Sequence, residues 1–294
     1  MTQGEKRNLW IGLAFISPWI VGFLAFTVFP VCASIFFSFC DYDVLTKPVW
    51  VGTLNYRDMV TDSVFWKSLY NTLYYAFFSL PLGLVMALII AVLLNQKIRA
   101  RSLFRATYFL PSLIPVVASS IVWLWILNGN FGILNHALEW FHIKGPQWMA
   151  DEKWTKPSLI LMAMWGCGNT MVIYLAALQD VPRSLYESAE IDGANAWVKF
   201  WNVTVPMISP VIYFNLIMGI IGSLQVFAQA YIMFGGGGPN RSALFYTVYL
   251  YQCAFDYHQM GYASAMAWML FLIILFLTWV ATRSTRRLIY YGGE

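Results

Sequence analysis

Six long uncharged segments constrain this chain more than any other feature of its sequence. Each is longer than the roughly 20 residues that a helix needs to cross a bilayer. Inside a bilayer every backbone group must be hydrogen-bonded within the protein, and a helix achieves this within one segment. We therefore predict an all-α integral membrane protein with six transmembrane helices. The runs are Asn8–Cys40, Ser68–Gln96, Ala106–Asn135, Pro157–Gln179, Phe200–Asn240 and Gln259–Thr282.

The composition agrees with a membrane location. Of the 294 residues, 60% are apolar and 11% are charged, whereas a soluble domain carries about a quarter charged residues. The runs do not alternate polar and apolar residues, as the strands of an outer-membrane barrel would. They also contain no Asp, Glu, Lys, Arg or His. Ion-coupled carriers usually keep such groups in the membrane, so we expect the energy for any transport to come from a partner.

Lysine and arginine predict the orientation, because cytoplasmic loops carry an excess of them. With the N-terminus inside, the inner segments hold eleven of these residues and the outer loops hold seven. This distribution favours N-in and C-in. The inner set is Lys6, Arg7, Lys97, Arg99, Arg101, Arg105, Arg183, Lys199, Arg283, Arg286 and Arg287; the outer set is Lys47, Arg57, Lys67, Lys144, Lys153, Lys156 and Arg241.

The polar stretch Asp180–Pro206 separates the fourth and fifth runs, and the predicted orientation places it in the cytoplasm. Ser184 and Glu187 have the S-x-x-E spacing of a capping box, which predicts a helix start. A short helix, Leu185–Ile191, should follow. Gly193 is placed to end that helix in a left-handed conformation. The pattern therefore predicts a helix, a turn and a second helix.

The second helix of this stretch is predicted at Ala194–Trp201, with Pro206 at the entry to the fifth span. The stretch resembles the motif E-A-A-x3-G-x9-I-x-L-P of the membrane subunits of ATP-binding-cassette (ABC) importers, with three small or isosteric differences. The longer run LYESAEIDGANAWVKFWNVTVP resembles the carbohydrate-uptake branch of that family, as does the G-G-G-P after the fifth span. The matching residues are Glu187-Ser188-Ala189, Gly193 and Val203-Thr204-Val205-Pro206.

The resemblance implies a type I ABC importer permease, built as a single transmembrane domain over residues 1–294 with a coupling element at about 180–206. It implies a homologous second permease, two ATPase subunits and an external solute-binding protein. It also implies a multi-pass protein of the bacterial cytoplasmic (inner) membrane. The residues that would couple to the ATPase are Glu187, Ser188, Ala189, Asp192, Gly193 and Pro206.

Residues for catalysis or metal binding are not expected in this chain. It has no G-x4-G-K-[S/T] loop, so ATP and magnesium should be bound by partner subunits and this chain should be a transport subunit without a cofactor. The three histidines lack metal-ligand spacing. The four cysteines form no C-x2-C pair, although Cys40 and Cys253 lie in predicted external regions and a disulfide between them stays open.

Uncharged polar residues in the fourth and fifth runs are candidates for a substrate pathway. Gly219, Ser223 and Val226 would share one helix face, and Gln225 with Gln229 would form an i, i+4 pair. Such residues also join membrane helices to one another. Amides and aromatic faces suit sugars. The resemblance to maltose-type permeases implies that several of these residues lie at sugar-contacting positions. The candidates are Trp165, Gly166, Asn169, Gly219, Ser223 and Gln225, with Thr170 beside them and Trp123 and Trp125 as weaker ones.

These observations predict the permease subunit of a binding-protein-dependent importer that carries a sugar or oligosaccharide inward. Closure of the ATPase pair on ATP would move residues 185–201 and turn the pore outward. Glycerol phosphate or another polyol is an alternative substrate. An ion-coupled secondary carrier and an integral membrane enzyme are alternatives of a different class, and the sequence shows no catalytic constellation for the latter.

Overall fold

The computed structural model describes residues 2–96 and 98–286, which are helical apart from short connections and one small sheet. Lys97 and Arg287, two of the inner cations counted above, lie outside the described residues. Strand β1 (Cys40–Asp41) pairs antiparallel with β2 (Val49–Trp50). The helices are α1 (Gln3–Phe23), α2 (Phe29–Ser38), α3 (Leu54–Thr61), α4 (Ser63–Asn95), α5 (Arg101–Leu113), α6 (Val116–Ile126), α7 (Ile133–Glu139), α8 (Thr155–Trp165), α9 (Gly168–Asp180), α10 (Arg183–Ile191), α11 (Ala196–Lys199), α12 (Val205–Leu224), α13 (Ala228–Phe234), α14 (Tyr246–Tyr251) and α15 (Met260–Thr285). π-helical segments at Leu24–Val28, Phe200–Thr204 and Gln252–Asp256, and a 3-10 turn at Pro239–Arg241, extend or connect them.

The six predicted runs correspond to four candidate membrane spans and two bent helix pairs. Within the described residues, four helical stretches are long and apolar enough to cross a bilayer. Two bent pairs raise the number to six if each pair is one span: α5 with α6, bent by 101°, and α8 with α9, bent by 43°. The chain is therefore a multi-pass helical membrane protein. The four stretches are Arg7–Ser38, Ser63–Asn95, Ala196–Phe234 and Met260–Thr285.

Prolines act differently in the third and second runs. Pro111 and Pro115 predict an interruption of the third run, and one occurs at Pro115: α5 ends at Leu113 and Pro115 precedes α6, whereas Pro111 lies inside α5. Ile114 is extended, with ψ 128°, as a residue before proline tends to be. In the second run Pro81 predicts a kink. Helix α4 continues through Pro81 as one helix of 33 residues, so that kink stays a prediction.

Two cations that the sequence assigns to external loops are part of helices that extend beyond the uncharged runs. Lys67 lies in α4 and Lys156 in the first turn of α8. Lys67 pairs with Glu152 at 3.3 Å. The ammonium of Lys156 lies 3.2 Å from Oδ1 of Asn71 and 3.2 Å from the carbonyl oxygen of Ser242. The candidate spans thus include cations near their ends.

The chain divides into two compact units. The first combines the residues up to Asp62 with Leu250–Phe271. In it the hydroxyl of Tyr262 donates to Oδ2 of Asp62 at 2.9 Å. Cys40 and Cys253 are both buried and are not joined by a disulfide, so the pairing left open by the sequence is not present.

The second unit runs from Ser63 to Tyr249 and includes the chain from Leu272 onward. Its central element is α4, which packs against α8, α9 and α12. Ala87 and Ala91 of α4 are fully buried in one cluster with Tyr174 of α9. Small residues at such positions allow membrane helices to approach closely. The candidate residues of the fourth and fifth runs all lie in this unit.

Candidate functional site

The stretch Asp180–Pro206 forms the predicted helix, turn and helix. Gly193 follows α10 with a φ of +78°. Its N–H donates to the carbonyl of Glu190 at 3.0 Å, and the N–H of Ala194 donates to the carbonyl of Ala189 at 2.9 Å. This pair of bonds is a Schellman motif, in which glycine supplies the left-handed residue. The predicted role of Gly193 in ending the helix is confirmed.

The predicted capping box is wrong. The N-cap of α10 is Pro182 and makes no side-chain capping bond, so Ser184 lies inside the helix. The helix begins at Arg183, two residues earlier than predicted, directly after Pro182. Asn195 provides the side-chain cap instead: its Oδ1 accepts from the N–H of Val198 at 2.9 Å at the start of α11. Asparagine is a strong N-cap residue, so this cap was readable from the sequence.

We predict that the second short helix ends before Pro206, but it does not. After α11 the chain passes through the π-helical segment Phe200–Thr204 into α12 without a break. Pro206 lies in the first turn of α12, directly after the π-helical segment. The predicted coupling element therefore leads without a break into a candidate span, which begins at Ala196.

The predicted coupling residues lie on an exposed surface. The side chains of Glu187, Ser188 and Asp192 are exposed, and the carboxylate of Glu187 makes no hydrogen bond or ion pair with the described part of the chain. Ala189 and Pro206 are half-buried. The same element exposes large apolar side chains, with Ile191 exposed by 87% and Trp197 by 69%. Apolar side chains grouped on a polar surface mark a contact area for another molecule.

The fourth run breaks in the middle, which the sequence did not predict. Helix α8 ends at Trp165, Gly166 is its C-cap, and α9 begins at Gly168. A Cβ at Gly168 would lie 2.7 Å from the backbone oxygen of Tyr108, so only glycine allows α5 to approach this closely. The break places Gly166 and its neighbours between helices.

Two cavities meet at Gly166. The first, of about 280 Å³, lies between α4, the break and α12, and Gly219 is in its wall. The second, of about 210 Å³, lies beside the end of α5 and has Trp165 and Asn169 in its wall. Polar lining residues are Ser79, Thr170 and Asn215 in the first cavity and Ser112, Ser119 and Gln229 in the second. The structure therefore brings Trp165, Gly166, Asn169 and Gly219 to adjoining cavities.

Ser223 and Gln225 do not lie at these two cavities. Helix α12 ends at Leu224, so the predicted i, i+4 pair of Gln225 and Gln229 lies across a local break. Gln225 is exposed and lines none of the three cavities described in this section. Ser223 lines a third, mostly apolar cavity of about 560 Å³. Its Oγ donates to the carbonyl of Ile220 at 3.2 Å, which satisfies the hydroxyl within its own helix.

Several lining residues were not singled out from the sequence. Asn215 is buried in the wall of the first cavity, and its Nδ2 donates to the carbonyl of Val211 at 2.9 Å. It lies four residues before Gly219, so helical spacing could have identified it. Ser79, Ser112 and Ser119 come from other helices and gave no such signal.

The two weaker tryptophan candidates differ in their surroundings. Trp123 is buried and meets the ring of Trp165 edge to face, with centroids 5.9 Å apart. Its Nε1 is buried without a hydrogen-bond acceptor among the described residues. Trp125 is exposed by 77%, as is common for tryptophan at a membrane interface. Trp123 thus offers a donor near the second cavity, whereas Trp125 does not.

No three His, Cys, Asp or Glu side chains that could hold a metal ion converge in the part of the chain that the structure describes. The His136 ring nitrogen lies 3.3 Å from a carboxylate oxygen of Glu139. This contact is exposed and local to α7.

Known proteins resemble the chain over nearly its whole length. A probable ABC transporter permease protein of Bacillus subtilis, YesP, is 42% identical over 294 residues, which cover 99% of this chain and 94% of that protein. The lactose transport system permease protein LacF of Rhizobium radiobacter is 34% identical, with 94% of each chain covered. These relatives are transport permeases, which agrees with the prediction of a non-enzymatic subunit.

A solved structure and a protein family also match this chain. A chain of a bacterial alginate ABC transporter, in complex with an alginate pentasaccharide-bound periplasmic protein, has a TM-score of 0.85 at 23% identity, with 98% of each chain covered. This likeness shows that the chain has the same fold as that transporter chain. The family described as binding-protein-dependent transport system inner membrane component matches residues 79–290. The chain belongs to this family of inner membrane components of binding-protein-dependent transport systems.

Proposed function

We propose that this chain is the permease subunit of an ABC importer that carries a sugar or oligosaccharide inward across a bacterial cytoplasmic (inner) membrane. The observation that carries the proposal is the exposed coupling element, which continues as one helix into α12. Such an element can receive a movement on the membrane surface and pass it to a spanning helix.

Sugar as the cargo is supported by the relatives and by the cavities. The names of the relatives include lactose and arabinooligosaccharide transport. The two cavities at Gly166 are lined by hydroxyls, amides and Trp165. Amides and hydroxyls both donate and accept hydrogen bonds, and an indole packs against the C–H face of a sugar ring. A phosphorylated polyol fits less well, because none of the three cavities has Lys, Arg or His in its wall.

The energy and the remaining parts of the pathway come from partners in this proposal. Two ATPase subunits bind ATP and magnesium and contact α10 and the Gly193 turn through Glu187, Ser188, Ala189 and Asp192. A homologous permease completes the pore, and an external binding protein delivers the sugar. Closure of the ATPase pair shifts the population from an inward-open to an outward-open state. The single permease domain over residues 1–294 stays a prediction.

Reconstitution tests the function. Proteoliposomes that contain this chain, its partner permease and the ATPase pair should import sugar only when ATP and a loaded binding protein are both present. A panel of neutral and acidic oligosaccharides would identify the substrate. Uptake that runs on an ion gradient without the ATPase subunits would instead establish a secondary carrier.

Topology is tested separately. We propose six spans with N-in and C-in, as the charge distribution favours. Reporters fused near Gln96 and after Glu294, which lies outside the described residues, should then read cytoplasmic. A reporter near Lys144 should read external. A C-terminal reporter that reads external would contradict both the span number and the cytoplasmic position of the coupling element.

A further inference from the structure

Two side-chain contacts join α10 to the segment that leads into α12. The ammonium of Lys199 donates to Oε1 of Glu190 at 2.7 Å. The hydroxyl oxygens of Tyr186 and Thr204 lie 3.0 Å apart. Both contacts span the Gly193 turn, so they tie together two helices that the exposed turn alone would leave free to pivot.

The second contact lies in a buried setting. Either hydroxyl can donate to the other. The Oγ1 of Thr204 also lies 3.4 Å from the carbonyl oxygen of Lys199, which is long for a hydroxyl–carbonyl hydrogen bond, so Tyr186 is its main partner. Thr204 is 7% exposed, so loss of its partner would leave a buried oxygen with one bond fewer. Such a loss costs more than the bond itself contributes.

The π-helical segment explains why both contacts form at once. Tyr186 and Glu190 are four residues apart and share one face of α10. Lys199 and Thr204 are five residues apart, and in an α-helix of 3.6 residues per turn they would point about 140° away from each other. In a π-helix, bonding from i to i+5 places such residues one turn apart. The N–H of Val205 donates to the carbonyl of Phe200 in this pattern.

We propose that Tyr186, Glu190, Lys199 and Thr204 form a clasp, a pair of contacts that makes α10, α11 and the first turn of α12 move as one rigid lever. The π-helical segment places Lys199 and Thr204 on one helix face, opposite the face of α10 that carries Tyr186 and Glu190. Tyr186 is a positioning residue in this lever, since it acts through Thr204. Helix α12 carries Asn215 and Gly219 into the wall of the first cavity. A displacement of α10 thus reaches the cavity. This inference rests on the proposed function.

The test measures sugar imported per ATP hydrolysed in the reconstituted complex. Tyr186→Phe keeps the ring and removes its hydroxyl; Thr204→Val removes the hydroxyl on the other side of the contact. Each should lower the ratio about fivefold, the equivalent of one hydrogen bond. ATPase co-purification should not change. The double variant should be no worse than either single one, because the two residues act through one bond. Thr204→Ser, which keeps the hydroxyl, should retain the wild-type ratio.

The ion pair between Lys199 and Glu190 gives a second test, with a smaller expected effect. Lys199→Gln should lower the ratio less than Tyr186→Phe does, because the side chain of Glu190 is 62% exposed and exposed pairs are weak. A wild-type ratio in Tyr186→Phe would overturn the clasp. So would a parallel fall in transport and hydrolysis, which indicates a merely structural role. Failure of the wild-type complex to import sugar with ATP would instead overturn the proposed function.

Discussion

Gly193→Asp should abolish sugar uptake while folded permease remains in the membrane and retains less of its ATPase partner. A residue with a side chain at φ +78° is strained by roughly 1–2 kcal/mol. A Cβ at this position would have no heavy atom within 4 Å inside the chain, so the variant should still fold. The new carboxylate would protrude from the exposed turn, beside Asp192, into the surface proposed to contact the ATPase. Co-purification of the ATPase and uptake in proteoliposomes are the measurements.

A matched variant separates the shape of the side chain from its charge. Gly193→Asn has nearly the same shape as Gly193→Asp and tolerates the left-handed conformation, but carries no charge. It should retain more ATPase association than Gly193→Asp. Wild-type uptake and association in Gly193→Asp would show that this turn is not a coupling element.

Glu187→Ala belongs to the same test and should weaken ATPase association more mildly. The sequence left two roles open for Glu187, a capping box with Ser184 or a contact with a basic group of the ATPase. Because Pro182, and not Ser184, is the N-cap of α10, removal of the Glu187 carboxylate should not destabilise the helix. The effect of the variant should therefore come from the partner contact alone.

Gly166→Leu should reduce uptake at least about tenfold, which corresponds to an added barrier of roughly 1.4 kcal/mol or more. Gly166 has a φ of −82°, so other residues can adopt its conformation. The nearest atom to a Cβ there would be the carbonyl oxygen of Ala163 at 3.5 Å, an ordinary contact. The rest of the leucine would extend into the two cavities that meet at this residue. Initial uptake rates, normalised to folded protein, measure the effect.

Gly222→Leu is the control for this variant. Gly222 is exposed on α12, a Cβ there would meet no heavy atom within 4 Å, and it lines none of the three cavities. The Gly222→Leu variant should therefore transport at the wild-type rate. If Gly166→Leu also transports normally, the two cavities are not part of the substrate pathway.

The sequence alone predicted the long apolar helices and the Gly193 turn, because both depend on short-range rules. A run of more than about 20 uncharged residues in a bilayer satisfies its backbone groups most economically as helix. Gly193 ends α10 because glycine adopts positive φ without strain. Pro115 separates α5 from α6 for an equally local reason. None of these features needs a contact with a distant part of the chain.

Tertiary structure decided which polar residues meet. The fourth run breaks between Trp165 and Gly168. Gly168 lets α5 approach the backbone of α9, a contact between residues about sixty positions apart, as only a residue without a Cβ allows. The break brings Gly166 to both cavities. Ser223 lines a different cavity although it lies in the same helix as Gly219, and Gln225 is exposed just after the end of α12 at Leu224. A periodicity of 3.6 residues assumes an unbroken helix, so it could not predict the break in the fourth run or the position of Gln225.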